Sequence, residues 1–337
     1  MVRSLASSAP GFAVTAISVV LLWQVIPWTP TVTSLRAADP VFVGLAVLCL
    51  VASLIAKTVR WRLLLPEASP VTTPRLYRIL HISFLLNNVL PARLGDVARV
   101  AMTSRQPGIR LGHVLSSMLT ERVTDTITLM LCFLAVAPFL PVPARYEGLK
   151  TAAWVVIAGL AVAIAVAGVF RTRLNAVAHS ERLRRRLPAN QRVRAEAASF
   201  VDGIARLFAR DRVVPIWGWS WTAWVAAFAI NYLLMKALNI DAPFAVAVLL
   251  TCTTNLAMLL PSSPGAIGVF HLAATASLLP FGVPEARALS FAILAHLVNV
   301  VPVSLIGAAL LVIGHERLSP WALRREAELA TQRANDG

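Results

Sequence analysis

Long apolar runs restrict the fold of this chain more than any other feature of its sequence. A helix needs about 20 apolar residues to cross the hydrocarbon of a bilayer. Only 14% of the residues are charged, against about 25% in soluble domains, and the mean hydropathy is +0.72. The sequence therefore predicts an all-α, polytopic integral membrane protein with about six transmembrane helices. The six spans lie at roughly 11–29, 41–59, 113–138, 151–170, 214–238 and 285–314.

The basic residues orient these spans. Of the 31 lysines and arginines, 25 fall on one side of the membrane and four on the other if the N-terminus is cytoplasmic, and Arg122 and Lys236 lie within spans. Lys57 and Arg60, at the end of the second span, are counted with the cytoplasmic 25. Because basic loops stay on the cytoplasmic side, we expect both termini there. This count requires that two interrupted apolar segments, 75–105 and 243–281, re-enter the side on which they begin. An alternative for residues 1–38 is a cleaved signal peptide, since the small-residue stretch SLRAAD follows an apolar run.

A span, an interrupted segment and a second span follow one another twice, in units 41–138 and 214–314. The two units would point in opposite directions, as in transporters whose sites lie where broken helices meet. The motifs LPARLG (90–95) and LPSSPG (260–265) favour this interpretation, although two proline-glycine breaks can also resemble each other by coincidence. We predict an inverted repeat with two re-entrant helical hairpins.

The positive charge is distributed between the apolar runs. The net charge is +15, and residues 171–213 alone hold eleven arginines. This distribution suits loops that face an anionic membrane surface, and we expect no nucleic-acid partner. The linker 171–213 is predicted either as an amphipathic helix on the inner leaflet or as a solvated connector. Residues 1–316 then form a single transmembrane domain, followed by a cytoplasmic tail at 317–337.

The first interrupted segment contains the stretch LLNNVLPARLGDVARV (85–100). Pro91 and Gly95 are predicted to break the helix. The backbone groups left unpaired by such a break are tolerated at membrane depth only inside protein or beside a watery cavity, so the break predicts a cavity. The next helix would present free N–H groups, and Arg93 and Arg99 add positive charge, so a phosphate or other anionic head group fits. The alternative is an ordinary cytoplasmic turn. Three further residues are predicted to contribute to substrate binding. Asp96 would pair with an arginine, and Asn87 and Asn88 would cap the break or contact the ligand.

The second interrupted segment contains PSSPGAIGVFH (261–271) and carries no arginine. Ser262 and Ser263 can cap a helix or contact a ligand through their hydroxyls. Glycine permits close backbone approach, so this break is predicted as a second hinge. The hinge residues are Pro261, Pro264, Gly265 and Gly268.

Polar side chains interrupt the span SSMLTERVTDTITLM (116–130). An ionised side chain at the centre of a membrane helix costs roughly 2.5–3.5 kcal/mol, so Glu121, Arg122 and Asp125 must pair or line a hydrated space. The functional hypothesis makes them one wall of a polar cavity, salt-bridged to Arg93 or Arg99. The matching wall would be His296 and Asn299. The alternative is a structural ion pair between helices.

Catalytic and metal-binding chemistry has little support in this sequence. Cys49, Cys132 and Cys252 lie inside apolar runs without metal-ligand spacing. GxSxG, HExxH, Walker and CxxC motifs are absent from the sequence. We therefore expect no enzyme activity, no cofactor and no metal.

Three of these stretches, FLLNNVLPARLGDVARV, ERVTDTI and LLPSSPGAIGVFH, together resemble the transmembrane region of lysylphosphatidylglycerol synthase/flippase proteins. The resemblance covers roughly 15–315 and implies a bacterial inner-membrane protein whose re-entrant helices move lipid between leaflets. It implies a stand-alone membrane domain, without the aminoacyl-transferase domain of the synthase. The family's motifs fall on Asn88, Leu90, Pro91, Arg93, Gly95, Asp96 and Arg99, then on Glu121, Arg122 and Asp125, then on Pro261, Pro264, Gly265 and Gly268.

The sequence departs from the family pattern at three positions. The family has an acidic residue where His271 stands, glutamate more often than aspartate at Asp96, and commonly arginine where His296 falls. The paired loss of an acid and a base is either compensatory or the mark of a different head group.

These observations predict a lipid flippase or lipid-binding transporter for a phospholipid or lipid-linked intermediate with an anionic head group. Its partners would be membrane lipids. One alternative is a membrane partner of a lipid-modifying enzyme or glycosyltransferase pathway that transports nothing. Another is an ion-coupled solute transporter.

Overall fold

The computed structural model describes residues 28–90, 93–136, 140, 195–196, 198–200, 203, 210–258 and 264–313. All regular elements in these ranges are helices, which confirms the all-α class. They are α1 (Trp28–Arg36), α2 (Pro40–Leu64), α3 (Thr73–Val89), α4 (Leu94–Ser104), α5 (Leu111–Val136), α6 (Arg210–Ala237), α7 (Phe244–Ala257), α8 (Val269–Leu278) and α9 (Glu285–Ile313), with short 3₁₀ turns at Pro264–Ala266 and Leu279–Phe281.

Three described helices, α2, α6 and α9, are long and apolar enough to cross a membrane. Helix α5 has 26 residues, a rise of about 39 Å, but it carries three charged residues near its middle. These four helices coincide with four of the six predicted spans. The predicted span 151–170 and nearly all of 11–29 lie outside the described residues. A multi-pass membrane protein is therefore confirmed, and the total of six spans stays a prediction.

The first interrupted segment is two helices, α3 and α4, that pack against each other. Leu90 is extended, and Arg93 adopts left-handed backbone angles with φ 53° just before α4. The side chain of Asn87 closes the break, because its Oδ1 accepts the Asp96 N–H at 3.2 Å. Gly95 lies so close to the Ser83 carbonyl that no side chain fits there. The helix break is therefore built by local hydrogen bonding and close backbone contact.

The second interrupted segment is also two helices in contact, α7 and α8. Helix α7 ends at Ala257, and the backbone has positive φ at Gly265 (68°) and Gly268 (90°) before α8 begins. Glycine adopts such angles without a steric penalty. Pro261 and Pro91 lie outside the described residues, so the hinge function assigned to these prolines stays a prediction.

The helix contacts follow a two-unit pattern. Helices α2 and α6, which occupy equivalent positions in the two units, form the most extensive contact. Helix α3 packs on α9 of the other unit, and α7 correspondingly packs on α5. Within the units, α4 contacts α5 and α8 contacts α9. These contacts occur in corresponding pairs, whereas the contact of α1 with α9 has no equivalent among the described helices. The inverted repeat and the re-entrant course of the hairpins through a bilayer stay predictions.

Three apolar clusters of described residues stabilise this arrangement, and two of them position the site. The larger one joins α2 with all four helices of the second unit and contains Leu50, Leu234 and Phe291. The smaller one surrounds Trp61 and includes Ile79 of α3 and Met102 of α4. The smaller core fixes the three helices that carry the charged residues described below.

Gly307 provides a test of the contact between α9 and α3. A Cβ at this position would lie 2.6 Å from the His81 carbonyl oxygen, whereas a Cβ at Gly44 of α2 would contact nothing within 4 Å. Overpacking of this kind costs about 1–3 kcal/mol. We expect Gly307→Ala to lower the thermal midpoint of the detergent-solubilised protein and Gly44→Ala to leave it unchanged or slightly raised. Equal midpoints for the two variants would contradict the close helix contact.

Candidate functional site

A buried arginine on α2 organises the charged residues of the protein. Arg60 is 1% exposed, and its Nη1 lies 2.5 Å from Asp125 Oδ1 and its Nη2 lies 3.3 Å from Asp125 Oδ2. Its Nη2 also lies 3.6 Å from Glu121 Oε1. From the sequence, Arg60 was counted with the cytoplasmic basic residues because the apolar run ends near residue 59. That assignment is corrected, since α2 continues to Leu64 and carries Arg60 into the interior.

A second arginine, on α4, pairs with one of these two carboxylates. Arg99 Nη2 lies 2.7 Å from Glu121 Oε2, and both side chains are 9% exposed. The Arg99 guanidinium carbon also lies 3.7 Å from the centre of the Trp61 ring, a cation–π contact. Trp61 Nε1 donates to Ser117 Oγ of α5 at 3.2 Å. Glu121 is therefore held between two guanidinium groups.

We call Arg60, Arg99, Glu121 and Asp125 the buried quartet. It contains two cations and two anions, so its formal charge is zero. It joins α2, α4 and α5, and α6 is attached through Trp224 Nε1, which donates to Asp125 Oδ1 at 3.0 Å. Because isolated buried charges are expensive and paired ones much less so, the quartet fixes these helices relative to one another. Its positive and negative charges neutralise one another within the protein.

Two further arginines, Arg93 and Arg122, form what we call the cationic rim. The Arg122 side chain is 58% exposed, and its Nη2 lies 3.7 Å from Asp96 Oδ2. Asp96 Oδ1 accepts a hydrogen bond from Asn87 Nδ2 at 3.0 Å. Arg93 is exposed and donates to the carbonyl oxygen of Met258. The rim cations therefore remain accessible, in contrast to the arginines of the quartet.

The two helix breaks touch each other. Arg93, at the first break, donates a hydrogen bond to the carbonyl oxygen of Met258, the residue that caps the end of α7 at the second break. A Cβ on Gly265 would lie 3.6 Å from the Asn88 carbonyl oxygen, and Asn88 Nδ2 donates to Ser304 Oγ of α9 at 3.0 Å. Both units of the chain thus contribute backbone and side chains to one place, at which the cationic rim lies.

Two histidines lie beside the second break. The His271 and His296 rings are 4.8 Å apart between centroids, and His271 Nδ1 accepts the Gly268 N–H at 3.4 Å. Asn299 donates to the Ala295 carbonyl of its own helix at 2.8 Å. Ser262 and Ser263 lie outside the described residues. Within the described ranges, no group of three or more His, Cys, Asp or Glu side chains is arranged to hold a metal ion.

The start of α5 contacts the described part of the basic linker. Glu196 Oε2 accepts the Gly112 N–H at 2.7 Å, and Arg110 Nη1 donates to the Ala195 carbonyl at 3.4 Å. A carboxylate at a helix N-terminus is favourable because it binds free N–H groups. This end of the linker is therefore held by α5, while most of residues 171–213 lies outside the described residues.

The structure brings together most of the residues that the sequence analysis selected. Two arginines, Arg93 and Arg99, were proposed as ion-pair partners for this cavity wall. Arg99 forms an ion pair with Glu121, whereas Arg93 contacts the second break. Four residues beside the quartet or within it were not predicted from the sequence: Lys57, Arg60, Trp61 and Trp224. The sequence did contain a signal that the helix extends past residue 59. Residues 57, 60 and 61 follow helical spacing and continue one face of the preceding apolar run.

Comparisons with known proteins agree with a membrane domain. Residues 11–307 match the protein family described as the lysylphosphatidylglycerol synthase TM region. A relative named glycosyltransferase AglD, from Haloferax volcanii, is 28% identical over 325 residues, and the match covers 86% of this chain and 51% of the relative. The chain therefore spans about half the length of the curated relative that it matches. The family resemblance drawn from the three motifs is confirmed.

The buried quartet makes a strong prediction for Glu121→Gln. This change leaves two buried guanidinium groups with one carboxylate, and breaking a buried pair costs about 3–5 kcal/mol. We expect a clear fall in the thermal midpoint in detergent. The matched control is Asp241→Asn, which removes the carboxylate of a surface pair with Lys236 and should change the midpoint little. A midpoint for Glu121→Gln equal to that of the control would show that the quartet does not stabilise the fold.

Proposed function

Because this chain belongs to the lysylphosphatidylglycerol synthase transmembrane-region family, we propose that it binds a membrane lipid with an anionic head group and moves that head group between leaflets. Family membership, and likeness to a relative named a glycosyltransferase, support a membrane protein linked to lipid or glycosyltransferase pathways. The proposed role requires no bond to be made or broken. We further propose a bacterial inner membrane and cytoplasmic termini.

The observation that carries this proposal is an exposed arginine midway along a membrane helix. Arg122 is the twelfth of the 26 residues of α5, about 16 Å of rise from its first residue. A charged side chain at this depth needs water or a counter-ion. Asp96, 3.7 Å away, is a distant partner, and 58% of the arginine side chain remains exposed. A lipid phosphate supplies the missing acceptor, because arginine and phosphate form strong charge-assisted hydrogen bonds.

The surroundings of Arg122 suit an amphiphile better than a free anion. Leu115, Leu119 and Val123 lie on the same side of α5 and are 43%, 47% and 42% exposed. Acyl chains would pack along these side chains while the phosphate lies at Arg122. The lipid tails thereby stay in the hydrocarbon, and only the polar head group needs a path through the protein.

The two helix breaks supply polar groups for that path. Backbone that leaves its helix within a membrane has unpaired N–H and C=O groups, which are tolerated beside protein or water. At the first break, Arg93 joins this backbone to that of the second break through Met258. We propose that the head group passes along this contact, with Arg93 and Arg122 as its phosphate ligands. Arg99 and Glu121 act indirectly, by holding α4 against α5.

A second candidate function is a non-transporting partner of a glycosyltransferase pathway. The relative named glycosyltransferase AglD favours it, since this chain matches only 51% of that protein. In this alternative the lipid binds at the same rim and is handed to an enzyme. The two candidates differ in whether the purified protein alone moves lipid between leaflets.

The test is lipid exchange in proteoliposomes containing fluorescent phosphatidylglycerol and an impermeant quencher. We expect protein-dependent exchange, and we expect Arg122→Ala to slow it about tenfold, because a lost charged hydrogen bond is worth about 1.5–3 kcal/mol. Arg93→Ala should act in the same direction. The matched control is Arg287→Ala, because Arg287 is also an exposed arginine that donates to a backbone carbonyl, that of Asn239, but it lies outside the proposed path.

Two results would count against transport. Wild-type protein that binds phosphatidylglycerol in native mass spectrometry but gives no exchange would favour the partner role. Exchange that is equally fast in wild type, Arg122→Ala and Arg287→Ala would remove the cationic rim from the mechanism.

A further inference from the structure

We propose that Lys57 is a further contact for the anionic head group, deeper in the membrane than Arg122 of the cationic rim. This inference rests on the proposed lipid transport and adds an intermediate site to it. Lys57 belongs to α2 and is half-buried beside the buried quartet. From the sequence it was counted with the cytoplasmic basic residues.

Lys57 forms no ion pair with any residue in the described part of the chain. Its Nζ lies 5.4 Å from the centre of the Trp224 ring, a weak cation–π contact. No hydrogen bond or ion pair to another described residue accompanies that contact. Arg60, one turn away on the same helix, is by contrast bound to two carboxylates. The ammonium group therefore keeps three N–H donors for a ligand or water.

The positive charge of Lys57 is not balanced within the quartet. The quartet is neutral by itself, and the hydrogen-bonding oxygens of Asp125, which also binds Trp224, are already occupied. Asp125 Oδ1 accepts from Arg60 and Trp224, and Asp125 Oδ2 accepts from Arg60. The charge of Lys57 is thus in excess among the described groups. An unpaired cation in an apolar environment is expensive, so the site favours a counter-anion.

Lys57 also lies deeper in the membrane than Arg122. Arg60 pairs with Asp125 and Trp61 with Ser117, so α2 and α5 run antiparallel. Lys57 precedes Arg60 by three residues and therefore lies beyond Asp125, further from the first residue of α5. Arg122 lies between Glu121 and Asp125 along α5, at the level of the quartet. A phosphate that moves from Arg122 away from the predicted cytoplasmic end of α5 would therefore approach the level of this ammonium.

The competing explanation is a lysine that extends along the membrane to reach cytoplasmic water. Lys57 is seven residues, or about 10 Å of rise, from the end of α2 at Leu64. Its ammonium instead lies over Trp224 of α6. A lysine that only reaches for water would have no role in exchange, and its replacement would leave the exchange rate unchanged.

The experiment compares Lys57→Met, which removes the charge and keeps an unbranched stem, with Lys57→Arg, which keeps the charge. Exchange and equilibrium binding of fluorescent phosphatidylglycerol are measured in parallel. We expect Lys57→Met to slow exchange about tenfold, since one charged contact is lost, while binding changes about twofold or less. Lys57→Arg should retain most of the rate. Exchange of a neutral fluorescent glycolipid that lacks phosphate should be the same in all three proteins.

The matched control is Lys236→Met. Lys236 also lies over an aromatic ring, 5.5 Å from the centre of Tyr232, but it is paired with Asp241 at 3.4 Å. Exchange by Lys57→Met at the rate of this control would overturn the proposal. If Lys57→Met lacks a thermal transition, Lys57→Gln is compared with Lys57→Arg by the same two measurements. A slow Arg122→Ala together with a wild-type Lys57→Met would refute this site alone, whereas wild-type rates in both would refute the transport proposal as well.

Discussion

The pairing of Arg60 with two carboxylates of α5 is the interaction on which the rest of the structure depends. Glu121 and Asp125 can lie within an apolar helix only because guanidinium groups neutralise them there. Arg60 approaches from α2 and Arg99 from α4, so one neutral cluster sets the register of three helices. The same cluster determines which cations are left for a ligand, because its own charges are already paired.

The separation between a buried quartet and an exposed rim explains how a membrane protein can carry so many arginines at one level. The quartet arginines act on protein carboxylates, whereas Arg93 and Arg122 face outward. A site built in this way keeps its shape when a ligand leaves, because its frame does not depend on the ligand. Such preorganisation reduces the free-energy cost of binding.

The two halves of the site differ in charge. The first break is surrounded by arginines and carboxylates, whereas the second presents His271 and His296 in ring contact. The family resemblance implies an acid and an arginine at these two positions. In this chain two imidazole rings in contact replace that pair, and Phe270, in edge contact with both rings, adds apolar packing. Among the described residues, the charged side chains around the two breaks therefore all belong to the first unit.

The sequence alone determined the membrane class, the positions of the apolar helices and the two breaks, because length, hydropathy and proline-glycine patterns act locally. It also selected Glu121 and Asp125, since charges inside apolar runs are visible without a partner. Only the tertiary structure decided that Arg60 completes the buried quartet and that Arg93 reaches Met258, 165 residues away. Such pairings depend on how distant helices pack, and no local pattern records whether a basic residue at the end of an apolar run faces water or a buried carboxylate.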